Sequence, residues 1–157
     1  MKVLVVAVGR VRGTLEAPVA EYEERARRYW KLEVAEVEAG APGRNPASER
    51  VRGAEAERIL ARMPQGFTVV ALTRTGKGLG SRELAAVLEA EALRSSPGVA
   101  FVLGGAFGLA AEVLERAQRR VSLSPLTMPH EMARLVLAEQ LYRAGTLLRG
   151  EPYHKGA

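Results

Sequence analysis

Short apolar, β-branched runs alternate along this chain with longer segments of helical period, and that alternation restricts the available folds more than any other feature. The short runs are Lys2 to Val8, Leu32 to Val37, Phe67 to Leu72, Val99 to Leu103, and a brief one at Val121 to Leu123. Between them Leu15 to Trp30, Pro46 to Met63, Ser81 to Leu93 and Ala110 to Arg119 repeat apolar residues three or four apart. A last segment of this kind runs from about Pro129 to Leu148 and carries Met132, Leu135, Val136, Leu141, Ala144 and Leu148 along one broad side, read as core or subunit interface. Strands and helices in strict alternation predict an α/β domain with a mostly parallel sheet and helices on both faces. Ser81 is placed to cap the helix it opens, and Gly66 and Gly98 stand where a helix hands over to a strand. Gly40 to Pro46 is rich in turn formers and reads as a surface loop.

The 157 residues suffice for one ordinary domain, expected to cover 1–157. No apolar run approaches the roughly 20 residues that cross a bilayer, so no membrane span is expected. Val3 to Val8 is too short for the apolar region of a signal peptide, and the expected location is cytoplasmic. The chain has no cysteine, which excludes disulfides, thiolate metal sites and cysteine nucleophiles. It also has no aspartate, so every acidic role falls to its 18 glutamates. His130 and His154 are the two histidines and lack the spacing of a zinc motif, so no metal is expected. Of 23 basic residues 19 are arginine, which gives a net charge of +5 and suits bidentate contact with phosphate. The same Arg-rich, Lys-poor composition also follows from a biased genome, and charge alone does not choose between the two. Arg27-Arg28, Arg50 with Arg52, and Arg119-Arg120 stand on the same footing, as solvated faces or RNA contacts.

Two glycine-rich segments invite nucleotide readings, and both fail. Thr75-Gly76-Lys77-Gly78-Leu79-Gly80 places Gly78 where a phosphate loop needs Ser or Thr, and Ala71 where it needs its first glycine. The turn Val102-Leu103-Gly104-Gly105-Ala106-Phe107-Gly108-Leu109 comes late in the chain and has no acidic residue at the spacing that binds a ribose in dinucleotide folds. A glycine pair at a strand's carboxyl end does allow a ligand to approach bare backbone, although alone it equally makes a tight strand-to-helix connection. It is followed by Ser122-Leu123-Ser124-Pro125-Leu126-Thr127-Met128-Pro129-His130, which interleaves hydroxyls with apolar residues and can line an adenosine-sized pocket. The chain closes on Tyr153-His154-Lys155, one stacking surface, one proton carrier near neutral pH and one cation in three positions.

The order of these segments resembles the RlmH family of SPOUT-class, S-adenosylmethionine-dependent rRNA methyltransferases. The resemblance covers nearly the whole chain and is most specific from Gly104 to His154. It implies a C-terminal deep trefoil knot, over about 100–148, that clasps the methyl donor, a feature periodicity alone would not reveal. Position by position it implies donor contacts at Leu72, Gly104, Leu123, Ser124, Pro125, Leu126, Thr127 and Met128. Related sequences usually place Pro or Ser with Glu or Asn in the glycine turn, whereas this chain has Ala106 and Phe107. The implied reaction is methylation of N3 of a pseudouridine in helix 69 of 23S rRNA, on assembled ribosomes. His154 is the first candidate to receive the N3 proton, His130 the second, with Arg134 as charge stabiliser; Tyr153, Arg143 and Lys155 are candidate RNA contacts. Homodimers are implied too, the tail of one chain completing the pocket of the other. The alternatives are another rRNA or tRNA target, or an RNA-binding module without catalysis.

Overall fold

In the computed structural model, residues 1–156 are described, and five strands form a single parallel sheet in the order β2-β1-β4-β3-β5. They are β1 (Lys2–Val8), β2 (Lys31–Val37), β3 (Thr68–Gly78), β4 (Gly98–Leu103) and β5 (Arg119–Ser122). The helices between and after them are α1 (Glu16–Arg27), α2 (Ser48–Leu60), α3 (Ser81–Leu93), α4 (Ala111–Arg116) and α5 (His130–Leu148). A 3-10 turn at Gly13–Leu15 leads into α1, and another at Pro152–His154 follows α5.

The central strands β1 and β4 are unbroken apolar runs because helices cover both faces of the sheet. Side chains alternate between the two layers with period two. Val3, Val5, Phe101 and Leu103 pack against α1, α3 and α5 through Ala26, Leu84, Leu88, Leu137 and Leu141. Leu4, Val6, Val8, Ala100 and Val102 point the other way, toward Ala56 and Ile59 of α2 and Val113 of α4. Trp30 closes the first layer, its indole N–H donating to the Leu141 carbonyl at 2.8 Å.

Four details differ from the sequence expectation. β3 does not stop at Leu72 but continues through Lys77 and Gly78, which pair with Val121 and Ser122 beyond a register shift. Gly76 permits this approach, since a Cβ there would stand 2.7 Å from the backbone of Arg120 and Val121. The same pairing starts β5 at Arg119 rather than Val121. Ser81 does not cap α3; its hydroxyl donates to Gln140 Oε1 at 2.6 Å, while the Gly80 N–H donates to Glu83 Oε2 at 2.7 Å and closes the helix start. The expected apolar side of α5 is divided. Leu141 and Ala144 are buried with Leu137, Ala138 and Gly145, whereas Met132 and Leu148 stay exposed. Among the described residues no helix is long and apolar enough to cross a membrane, and no cluster of three or more candidate metal ligands occurs.

Candidate active site

The carboxyl ends of the strands open onto a cavity of about 770 Å³, within the ~300–1,000 Å³ range of small-molecule sites and at the edge where open α/β sheets bind ligands. Three segments wall it: the end of β3 at Leu72 to Thr75, the glycine turn from Gly104 to Leu109, and the loop from Leu123 to Pro129 that enters α5 at His130. Its floor is apolar, with Leu72, Leu103, Leu123 and Ala133, and hydroxyls of Thr73, Ser124 and Thr127 stand around it.

The glycine turn is tight at Gly104 and Gly105, where no side chain fits without displacing a neighbour. Gly108 adopts φ +78° and donates its N–H back to the Gly105 carbonyl at 3.1 Å. A Cβ on Gly104 would stand 2.8 Å from the Gly108 backbone, and one on Gly105 would stand 3.0 Å from both Glu55 Oε1 and Val8 Cγ1. Glu55 is thus the buttress behind the turn. It is buried, its Oε2 accepts the Gly40 N–H at 2.9 Å, and its Oε1 has no partner. Sequence reasoning missed this residue, because only the packing of α2 shows which carboxylate faces the turn.

The second loop is pinned by its own serines. Ser122 donates to the Ser124 carbonyl at 2.8 Å, and Ser124 Oγ accepts the Leu126 N–H at 3.0 Å, the local bonding that lets Ser hold a tight loop. Arg74, not singled out from the sequence, donates to Thr127 Oγ1 at 2.9 Å and ties β3 to this loop across the cavity. His130 lies at the first turn of α5 against the backbone of Gly9, where a side chain would stand 3.3 Å from its Cε1. Its Nε2 stands 2.9 Å from Glu131 Oε1.

Seven of the eight expected donor contacts line this one cavity, as does His130; Pro125 does not. Phe107 forms part of the wall and is half exposed. The other expected site residues lie elsewhere in the chain. Arg134, expected to face the substrate, turns into the protein. Its Nε donates to Glu23 of α1 and its Nη1 to Glu36 of β2, each at 2.7 Å, and the residue is 8% exposed. Burial opposes its charge, but the bonds to Glu23 and Glu36 outweigh that and raise its pKa. These bonds make it a brace that ties the start of α5 to α1 and β2, and it does not line the cavity.

The tail docks on the middle of α5. Tyr153 donates to Glu139 Oε1 at 3.0 Å, and its ring stands 4.5 Å from that of Tyr142 and beneath Arg143. Burial first, then the bond to Glu139, raises the Tyr153 pKa. Arg143 itself donates twice to Glu139 Oε1. Tyr22 and Tyr29 complete the cluster, so all four tyrosines of the chain gather on this face. Glu139 lies nine residues beyond His130, or ~14 Å along the helix at 1.5 Å per residue. None of Tyr153, His154 and Lys155 lines the cavity of its own chain. His154 keeps its Nδ1 buried without a partner, and Lys155 is exposed.

The sequence model of the family described as "Predicted SPOUT methyltransferase" matches residues 1–154. The chain belongs to the SPOUT methyltransferase family. Among its relatives, "Ribosomal RNA large subunit methyltransferase H" of Gemmatimonas aurantiaca is 51% identical over 99% of this chain and 100% of its own length. The proteins of the same name from Rubrobacter xylanophilus and Syntrophotalea carbinolica are 50% and 43% identical, over 96% and 98% of this chain and 96% and 99% of their own lengths. A solved structure of a probable methylase family protein from Haemophilus influenzae superposes with a TM-score of 0.53 at 13% identity, covering 96% of this chain and 69% of that one, and so shares the fold. As a SPOUT methyltransferase the chain uses a methyl donor. The cavity suits such a donor: it has the volume, an apolar floor, hydroxyls at its edge and a turn with bare backbone at Gly104 and Gly105. For a SPOUT protein, the family implies that the segment around β4 to α5 is knotted.

Proposed function

We propose that this SPOUT methyltransferase methylates N3 of a pseudouridine in helix 69 of 23S rRNA on assembled ribosomes, with S-adenosylmethionine as donor. The observation that carries the reading is the single cavity at the strand ends, where the glycine turn and the serine-pinned loop meet below His130. Leu72, Gly104, Leu123, Ser124, Leu126, Thr127 and Met128 would hold the donor, and Pro125 belongs to the same loop. Bound there, the donor supplies an electrophilic methyl group on a sulfonium.

The chain's own task is to set the base in line, exclude water and manage one proton. Pseudouridine N3–H lies between two carbonyls and is weakly acidic, so transfer requires that its proton leave. His154 receives it, and His130 is the second candidate. His130 is preset by Gly9 and Glu131, and its helix is held by the Arg134 brace. Because the tail docks on α5 at Glu139, ~9 Å along the helix from Ala133 at the pocket wall, His154 serves the pocket of a second copy in a homodimer, with Tyr153, Arg143 and Lys155 beside the RNA.

Calorimetry with S-adenosylmethionine and with its demethylated product tests the donor site. The unaltered protein binds both. Gly104→Val forces a side chain against the Gly108 backbone and abolishes binding while the circular dichroism of the fold persists. No heat from the folded, unaltered protein would refute the reading.

A further inference from the structure

Four arginines on α1 and α5 are neutralised inside the chain. Arg25 and Arg27 pair with Glu21 and Glu24 along α1, Arg143 with Glu139, and Arg134 with Glu23 and Glu36. Three of the arginines outside these pairs share the edge of the sheet that carries the cavity. Arg10 and Arg12 lie on the loop that leaves β1, Arg44 lies on the loop that leaves β2, and all three are exposed. None of them takes part in an ion pair or side-chain hydrogen bond among the described residues. The fully exposed acid on the same two loops is Glu38. Both loops issue from the carboxyl edge of the sheet, the edge that carries the cavity.

These loops are also fastened to the site. Gly9, immediately before Arg10, packs on His130 at the cavity's edge and donates its N–H to the Val37 carbonyl at 2.8 Å, which joins the first loop to the end of β2. The second loop is anchored at Gly40, whose N–H is held by Glu55 and whose carbonyl accepts from Arg58 at 2.7 Å. Glu55 is the same carboxylate that supports the glycine turn. The arginines thus stand on a base continuous with the pocket walls. They lead away from the pocket across β1 to β2, two strand spacings or ~10 Å from β4.

We propose that Arg10, Arg12 and Arg44 form a phosphate-binding rim that takes the RNA strand flanking the target nucleotide. The inference rests on the site being an RNA methyl-transfer site and adds the path of the substrate over the protein. Unpaired guanidiniums on fixed loops release counterions when they meet phosphate, which gives affinity and positions the strand without reading its sequence. The base enters the cavity while its backbone lies along the rim.

The test compares the unaltered protein with the triple variant Arg10→Gln, Arg12→Gln, Arg44→Gln. A control variant of equal charge loss on the opposite edge of the sheet is Lys2→Gln, Arg62→Gln, Arg94→Gln. Binding to a 23S rRNA transcript and to whole ribosomes is followed against salt, alongside methyl transfer to the ribosomes and calorimetry of S-adenosylmethionine. The rim variant is expected to flatten the slope of log affinity against log salt by about 2, at roughly 0.7 per phosphate contact on single-stranded RNA. Its KM for RNA rises while kcat and donor affinity hold, and the control changes none of these. An unchanged slope, or an equal loss in the control, overturns the rim. Loss of affinity for ribosomes but not for naked RNA overturns it too, by making a ribosomal protein the partner. If the unaltered protein binds donor and methylates RNA while the rim variant matches it, the rim alone fails. If the unaltered protein neither binds donor nor methylates, the underlying reading of the site fails first.

Discussion

Replacing Arg134 by Met tests whether this arginine braces the fold or acts on the substrate. The change leaves Glu23, whose side chain is 9% exposed, without its cation, while Glu36 at 36% can rehydrate. Removing one partner of a buried ion pair costs ~3–5 kcal/mol, and because one of the two carboxylates recovers water the low end, about 3 kcal/mol, applies. For a domain of this size that corresponds to a fall in Tm of roughly 6–12 °C. Urea unfolding followed by circular dichroism measures the loss, and the double variant Arg134→Met, Glu23→Leu is the decisive comparison. With both charges gone the apolar pair packs in place of the ion pair, and most of the lost stability returns. The double variant also keeps donor binding and most of its transfer rate, because the start of α5 is held again. A single variant that loses less than about 1 kcal/mol would refute the brace as a stabilising element. A double variant that folds as stably as the parent but has lost transfer would return Arg134 to the substrate.

Other outcomes follow from the same geometry. His154→Ala is expected to leave donor affinity unchanged and to slow methyl transfer by roughly 10²–10⁴-fold, the contribution of a positioned proton acceptor; undiminished transfer removes His154 from the mechanism. Gly105→Ala drives a methyl group to 3.0 Å from Glu55 Oε1 and Val8 Cγ1, and is expected to cost about 1–3 kcal/mol in urea unfolding and to weaken donor binding. Full stability and affinity would mean that the turn moves freely off Glu55. Tyr29 donates to Glu151, which with burial pushes its hydroxyl from 10.0 up to about 12. Since the folded value lies above the unfolded one, this stabilisation is complete below pH 10 and lost as pH rises through about 12. Unfolding measured across that window should show a downward slope that Tyr29→Phe reduces, and identical slopes would exclude the bond as a source of stability.

Much of the fold was legible because strand and helix periods differ and the core demands both. β1 is the run Lys2 to Val8 read from sequence, and β2 and β4 begin one residue before the predicted starts. The polar end of β3 was not legible: Thr-Arg-Thr-Gly-Lys-Gly has no apolar alternation, since its partner β5 lies at the sheet edge and half the surface there meets water. Strand order was likewise hidden, because pairing of β4 between β1 and β3 depends on which crossovers pack on which face. At the site, Gly104 and the segment Leu123 to Met128 were conspicuous as glycines and hydroxyls in unusual places. Glu55, Arg74 and the partners of Arg134 were not. Each acts through a residue 50 to 111 positions away, and a helical glutamate or arginine reads as a solvated charge until tertiary packing turns it inward. The tail posed the opposite problem: Tyr153 and His154 look equipped for catalysis, yet only the docking on Glu139 and Tyr142 shows that they do not line their own chain's cavity.

The most direct measurement of the central claim is transfer of labelled methyl groups from S-adenosylmethionine by the purified protein, followed by mapping of the labelled nucleotide. The substrates are whole ribosomes, separated large subunits and naked rRNA, all from cells that lack the enzyme. Label confined to N3 of a helix 69 pseudouridine, and placed there in whole ribosomes, is the expected result. Label at another nucleotide, or none from a protein that binds the donor, would contradict the assigned target while leaving the fold and the donor pocket in place.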